Sequence, residues 1–444
     1  MTSASGRVVD VPTDRGSVPV RRTGPLRYAT AARFRPPVRT PAGADVPVAG
    51  AMCPQPPSRL AAVMGPARNP PPDEDCLHLN ITAPAAPAAP RPVLVFLHGG
   101  GFSSGSGLLD WYDGARLSAE GDLVVVSVNY RLGPLGFLHH QDTAPGNLGL
   151  LDQLAALRWV AENIARHGGD PAQVTVAGQS AGAISLALLL RHPDTPGLLR
   201  RAVLQSPVLG PAQTTPAEAD ADGAAFLAAL DDDPFTAGPD ALLAASAAAA
   251  ESAAERTGSR VAPAFAPVVG ADPVPATPPA TGLAAVDLLV GWAREELTAF
   301  GLTRPDARAA EGPAFAAPIT EFTAWAASAG ARVTTYHLDW TPEGSPFGAV
   351  HCLELPLLLG DEAAWRDAPM LGNVPWADVD AFGRALRSAW TAFVRTGEVD
   401  PEATAGYPVT WGRAPEPGAG PVPVPVPGPG APSPSQPPSD GSAA

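Results

Sequence analysis

Residues 174–190 read Val174-Thr175-Val176-Ala177-Gly178-Gln179-Ser180-Ala181-Gly182-Ala183-Ile184-Ser185-Leu186-Ala187-Leu188-Leu189-Leu190. A short β-branched run leads into a small-residue turn, and the turn leads into an apolar stretch of helical length. Strand, tight turn and helix in that order can present a serine hydroxyl at the end of a sheet. Such a turn needs small residues two before and two after the serine, because the backbones of strand and helix crowd it there. The five-residue pattern alone also fits an ordinary glycine turn. Its place between strand and helix makes Ser180 a candidate nucleophile.

A nucleophilic serine needs donors for the oxyanion. Upstream, the apolar run at residues 93–97 enters His98-Gly99-Gly100-Gly101-Phe102, whose unencumbered N–H groups can face a developing negative charge. The rival for such a loop is a phosphate cradle, but no Gly-Lys-Ser/Thr follows, and the chain contains no lysine at all.

Further out, near-continuous apolar runs at residues 92–97, 123–129, 174–177, 202–205, 287–291 and 333–338 alternate with helical stretches. This predicts an α/β fold with a mostly parallel sheet covered on both faces. Leu150, Leu154, Leu157, Ala161 and Ile164 recur at helical spacing, with Gly168-Gly169 as the stop. Residues 224–254, rich in alanine and broken by proline, read as short helices. There is no internal repeat.

A serine followed by an acid and then a histidine is the order such a fold uses, so the base should lie well after Ser180. His192 is too close to the turn, and His337 sits inside a strand pattern. His351 follows a loop of small residues and is the candidate base. The acid should end a strand between the two. The run at residues 287–291 leads to Glu295-Glu296, and spacing does not choose between them; both also fit the acidic first turn of a helix.

The chain has 444 residues, a soft prior for about three domains, though α/β folds run longer as one unit. Its 45% hydrophobic and 16% charged residues suit a large core, and the mean hydropathy is +0.04. The longest uncharged stretches are broken by Gly, Pro or Ser well short of the ~20 apolar residues that span a membrane. With 29 basic and 44 acidic residues the formal charge is −15, and the scattered arginines make no nucleic-acid surface. The amino terminus shows no apolar h-region, so a cytoplasmic location is expected. Residues 1–413 read as the globular body. Residues 414–444 hold eleven Pro and five Gly and read as a disordered, polyproline-like tail.

These residues resemble the type B carboxylesterase family, the cholinesterase and para-nitrobenzyl esterase relatives of α/β-hydrolase fold. The resemblance spans about residues 26–411. It is carried in order by Glu74-Asp75-Cys76-Leu77, His98 to Phe102, Asn129-Tyr130-Arg131-Leu132-Gly133, Gly146-Asn147-Leu148-Gly149, Gly168-Gly169-Asp170-Pro171, the Ser180 turn, His351-Cys352-Leu353-Glu354-Leu355-Pro356 and Trp390-Thr391-Ala392-Phe393. It implies Ser180 as nucleophile, His351 as general base and Glu296 as the acid. It also implies an oxyanion hole from the N–H groups of Gly100, Gly101 and Ala181, and a disulfide between Cys53 and Cys76, for which a reduced pair is the alternative.

Gln179 stands where many members have Glu, His78 and His167 replace aromatic residues, and Leu297 replaces a Gly after the acid. Stretches that shape the lid and gorge are short. The expected reaction is acyl transfer from a small-molecule carboxylic ester without metal or cofactor, failing below about pH 6.5 as His351 charges. A lactone, thioester or amide hydrolase and a non-catalytic binding homologue are the alternatives. Monomer and homodimer are equally compatible with the sequence.

Overall fold

The β-branched runs pair into one ten-stranded sheet. The computed structural model describes residues 6–209, 213–258 and 263–413; the proline-rich segment 414–444 lies outside them. In chain order the strands are β1 (Arg7–Thr13), β2 (Gly16–Arg27), β3 (His78–Pro84), β4 (Arg91–Leu97), β5 (Val124–Val128), β6 (Gly169–Gln179), β7 (Arg201–Gln205), β8 (Asp287–Ala293), β9 (Arg332–Leu338) and β10 (Val409–Arg413). Their spatial order is β1-β2-β3-β5-β4-β6-β7-β8-β9-β10. From β5 to β9 every pairing is parallel. At both edges the pairing is antiparallel.

The antiparallel edge β1–β2 escaped the sequence reading because its burial alternates and its strands carry Pro12, Pro19 and Pro25. Pro12 lies on the edge strand β1, and Pro25 falls where the β2–β3 register shifts between Thr23 and Leu26, two places where a missing N–H is tolerated.

The central strands are apolar on both faces because helices cover both. Val93, Val95 and Leu97 of β4 face one core; Leu94 and Phe96 face the other. On the first side lie α1 (Leu148–Asn163) and α2 (Ala181–Leu189). On the second lies α3 (Trp376–Thr396), whose Val379, Phe382, Leu386, Trp390 and Phe393 form one buried stripe. Each such side chain removed from water contributes roughly 1.5–3 kcal/mol before the entropy of ordering. The alanine-rich stretch forms two helices, Pro216–Ala228 and Pro239–Thr257, each started by a proline at its first turn. No helix among the described residues is long and apolar enough to cross a membrane.

Two pieces of the resemblance are scaffolding. Asp152 of α1 receives both Nε and a terminal nitrogen of Arg131, at 2.8 and 2.7 Å, in a fully buried pair. Asn129 Oδ1 accepts from Ser106 Oγ and Gly107 N. Cys53 and Cys76 are buried free thiols in this structure. The Cys53 sulfur accepts from Leu132 N at 3.3 Å.

Candidate active site

The parallel register brings the carboxyl ends of β4, β6, β7 and β8 to one edge of the sheet, where ligands of open α/β sheets bind. Gly178 of β6 pairs with Leu97 of β4 on one side and Leu204 of β7 on the other, and Ser180 follows directly.

Ser180 has φ 53° and ψ −120°, a strained conformation for a side-chain-bearing residue. Its N–H donates to Gln205 O at 2.9 Å, which anchors the turn to β7. The neighbouring glycines are sterically required. A Cβ on Gly178 would lie 2.4 Å from the backbone of Gly182, and one on Gly182 would lie 2.1 Å from Leu97 O. Ser180 is 9% exposed.

The loop after β4 folds beside it. Gly100 has φ +116° and Gly101 φ +61°, and a Cβ on Gly100 would overlap Ser104 O at 2.0 Å. His98 props this loop. Its ring stacks on Tyr130 at 4.3 Å, the Tyr130 hydroxyl donates to His98 O at 2.7 Å, and burial lowers the imidazole pKa to about 4. His98 is a neutral packing element.

The choice between the two glutamates is made by geometry. Glu296, in a short 3-10 turn after β8, hydrogen-bonds His351 Nδ1 through Oε2 while its Oε1 accepts from Ala293 N at 2.7 Å. Glu295 points elsewhere: its Oε1 accepts from Arg304 Nε at 3.0 Å and Arg308 Nε at 2.6 Å, and its Oε2 from Ala349 N at 2.9 Å. It braces the loop that carries His351. Gly348 in that loop, at φ +68°, has no room for a Cβ against Glu295. His337 is buried in β9 and bonds Glu311 at 2.8 Å. His192 only accepts a bond from Asp194 N in its own turn.

With Nδ1–H given to Glu296, Nε2 of His351 faces Gln179 of the Ser180 turn. At 3.3 Å from it lies the amide of Gln179, which also donates to Cys352 Sγ at 3.2 Å. The Gln179 amide, rather than the Ser180 hydroxyl, sits at hydrogen-bonding distance from Nε2 in this structure. Phe300 closes over the imidazole, with ring centroids 5.5 Å apart. Burial of His351 opposes its charged form, but the Cys352 sulfur and the Glu296 carboxylate favour it, and the balance raises its pKa above 6.5.

A base must be neutral to take a proton. With His351 as the base, a role argued under the proposed function, the acid limb of kcat/KM is expected to have its midpoint above pH 6.5, activity falling as pH drops through it. A pH–rate profile with a midpoint at or below 6 contradicts this.

Sequence reasoning assigned no role to Glu354, although it quoted the residue. Glu354 is fully buried, and its Oε1 accepts from Ser206 Oγ at 3.2 Å and Tyr336 Oη at 3.0 Å. Burial, and then the charge of Glu296, raises its pKa from 4.5 to about 7. The folded chain thus keeps a proton that the unfolded chain releases between those pH values. Stability falls across that window, by on the order of 3 kcal/mol. Glu354→Gln removes the slope, and urea midpoints at pH 5 and pH 8 should converge relative to wild type. An unchanged difference between the two pH values refutes the account.

Two cavities meet at the oxyanion loop. One of about 100 Å³ is bordered by Ser180, Ala181, Gly100 and Gly101, with Ile184, Leu297 and Phe300 as apolar walls. The other, about 410 Å³, runs from Gly99, Gln179 and Cys352 to Met52, Met64 and Trp111. Among the described residues no cluster of three or more His, Cys, Asp or Glu side chains is placed to hold a metal ion.

The sheet order, the turn after β6 and the glycine loop after β4 are those of an α/β hydrolase. A thermophilic PNB esterase superposes with a TM-score of 0.74 at 30% identity, over 91% of this chain and 93% of its own. The chain belongs to the carboxylesterase family, whose profile matches residues 10–312. It is 39% identical over 406 residues to the probable N-octanoylanthranilate hydrolase of Rhodococcus erythropolis, 85% of this chain and 89% of that protein. It is 34% identical over 407 residues to the para-nitrobenzyl esterase of Bacillus subtilis strain 168, 81% of each. The protein is a carboxylic ester hydrolase.

Proposed function

We propose that hydrolysis proceeds through an acyl-enzyme on Ser180, with His351 as general base and acid and Glu296 as the carboxylate that orients it. The observation that carries this reading is the buried Glu296–His351 pair beside the Ser180 turn. Gln179 first yields Nε2 of His351, which then takes the Ser180 proton. The alkoxide attacks the ester carbonyl, and the N–H groups of Gly100, Gly101 and Ala181 receive the oxyanion. Each such donor is worth roughly 3 kcal/mol in the transition state. His351 returns the proton to the leaving alcohol, and water then releases the acid by the same route. The glutamate holds Nδ1–H in place and stabilises the imidazolium as it forms.

The test is acid-quenched turnover of para-nitrophenyl butyrate followed by peptide mass spectrometry. The acyl group is expected on Ser180; an acyl group on Cys352, or none under conditions of rapid turnover, overturns the reading.

A second reading is hydrolysis of an N-acyl compound. It is supported by the 39% identity to a relative named for one. The unbridged Cys53 and Cys76 thiols support a reducing compartment such as the cytoplasm.

A further inference from the structure

The cavity that holds Ser180 carries a cation. Arg59 borders it together with Ser180, Gly101, Phe102 and Leu297, and is the single charged side chain among the described residues lining either cavity. Its guanidinium lies against the oxyanion loop: a Cβ added to Gly101 would come within 2.8 Å of an Arg59 terminal nitrogen. Glycine at 101 thus leaves the space that the guanidinium fills. The surrounding walls are apolar, and an ion pair formed among them is stronger than one in open water.

We propose that Arg59 is a specificity residue that selects esters bearing a carboxylate close to the scissile carbonyl. A guanidinium presents a planar fork that matches a carboxylate with two parallel hydrogen bonds, and it stays charged at any working pH. Packing lowers the Arg59 pKa from the ordinary arginine value without removing that charge. Ser58 and Leu60, on either side of Arg59, border both cavities. Arg59 therefore stands beside both cavities that meet at the glycine loop. The inference rests on Ser180 being the nucleophile of the proposed reaction.

The experiment compares kcat/KM for phenyl butyrate, 2-carboxyphenyl butyrate and phenyl hemisuccinate in wild type, Arg59→Gln and Arg59→Lys. The second ester carries its charge on the alcohol half and the third on the acyl half. Arg59→Gln should lower the ratio of at least one carboxylate ester to the neutral ester by 20-fold or more, with Arg59→Lys in between. The ester that responds shows which half faces Arg59. Equal losses on all three esters, or unchanged ratios, overturn the proposal, because Arg59 would then act on the reaction itself or only on packing.

Binding separates this failure from that of the nucleophile assignment. Benzoate titrated calorimetrically into Ser180→Ala should bind at least tenfold more tightly than into the protein that also carries Arg59→Gln. Arg59-dependent benzoate binding in a protein whose hydrolysis does not need Ser180 overturns the catalytic reading, and with it the selection of esters, and leaves Arg59 as a carboxylate-binding residue alone. Intact Ser180-dependent turnover with benzoate binding indifferent to Arg59 overturns this one alone.

Discussion

Replacing Ser180 with alanine is expected to lower kcat toward para-nitrophenyl butyrate by about 10⁶-fold. The loss is this large because the hydroxyl is the bond-forming group of the proposed mechanism. Glu296 and His351 have nothing to deprotonate without it, and the glycine loop alone would retain only roughly 10³–10⁴ over water. The fold should not suffer. The residue is at φ 53° with either side chain, and its backbone bond to Gln205 O is untouched, so the stability change should stay within about 1 kcal/mol. Urea unfolding beside the kinetics checks this. A variant that stays folded and keeps more than a hundredth of wild-type kcat would place the nucleophile elsewhere, and loss of the acyl adduct on the Ser180 peptide should accompany the loss of rate.

Glu296→Gln should lower kcat by about 10⁴-fold with little change in KM. An amide at that position still accepts from Ala293 N. It no longer holds Nδ1–H of His351 with a negative charge, and it can offer an N–H that favours the wrong tautomer. Glu295→Gln is the informative contrast. That substitution removes the charge facing Arg304 and Arg308 and leaves both arginines, which are 35% and 51% exposed, able to turn to water. It should cost about 1–3 kcal/mol of stability and less than tenfold in kcat. If Glu295→Gln proves the more damaging to kcat while folded, the acid has been misassigned.

Ser180, the glycine loop and His351 were legible because their signals are local. Each rests on backbone that only small residues permit, placed directly after a β-branched run, and that pairing survives in one dimension. The central parallel strands and the helix after Asn147 were legible for the same reason, since hydrophobic period and length are written along the chain.

What depended on three dimensions was every relation between segments. Glu295 and Glu296 are adjacent in sequence and equal in chemistry. The direction of one turn after β8 sends one carboxylate to His351 and the other to two arginines. Glu354 sits three positions past His351, yet its significance comes from Tyr336 in β9 and Ser206 just after β7. Arg59 gave no signal at all, because a single arginine in a loop looks like any solvated charge until the fold lays it along Gly101. The sequence by itself determined the class of fold, the glycine-flanked Ser180 turn and the family. Tertiary structure decided which acid meets the histidine, how Gln179 occupies its free nitrogen and that Arg59 lies along the glycine loop. The physical reason is that local steric and hydrophobic patterns are properties of short segments, whereas hydrogen-bond partners and desolvated charges are set by packing between distant ones.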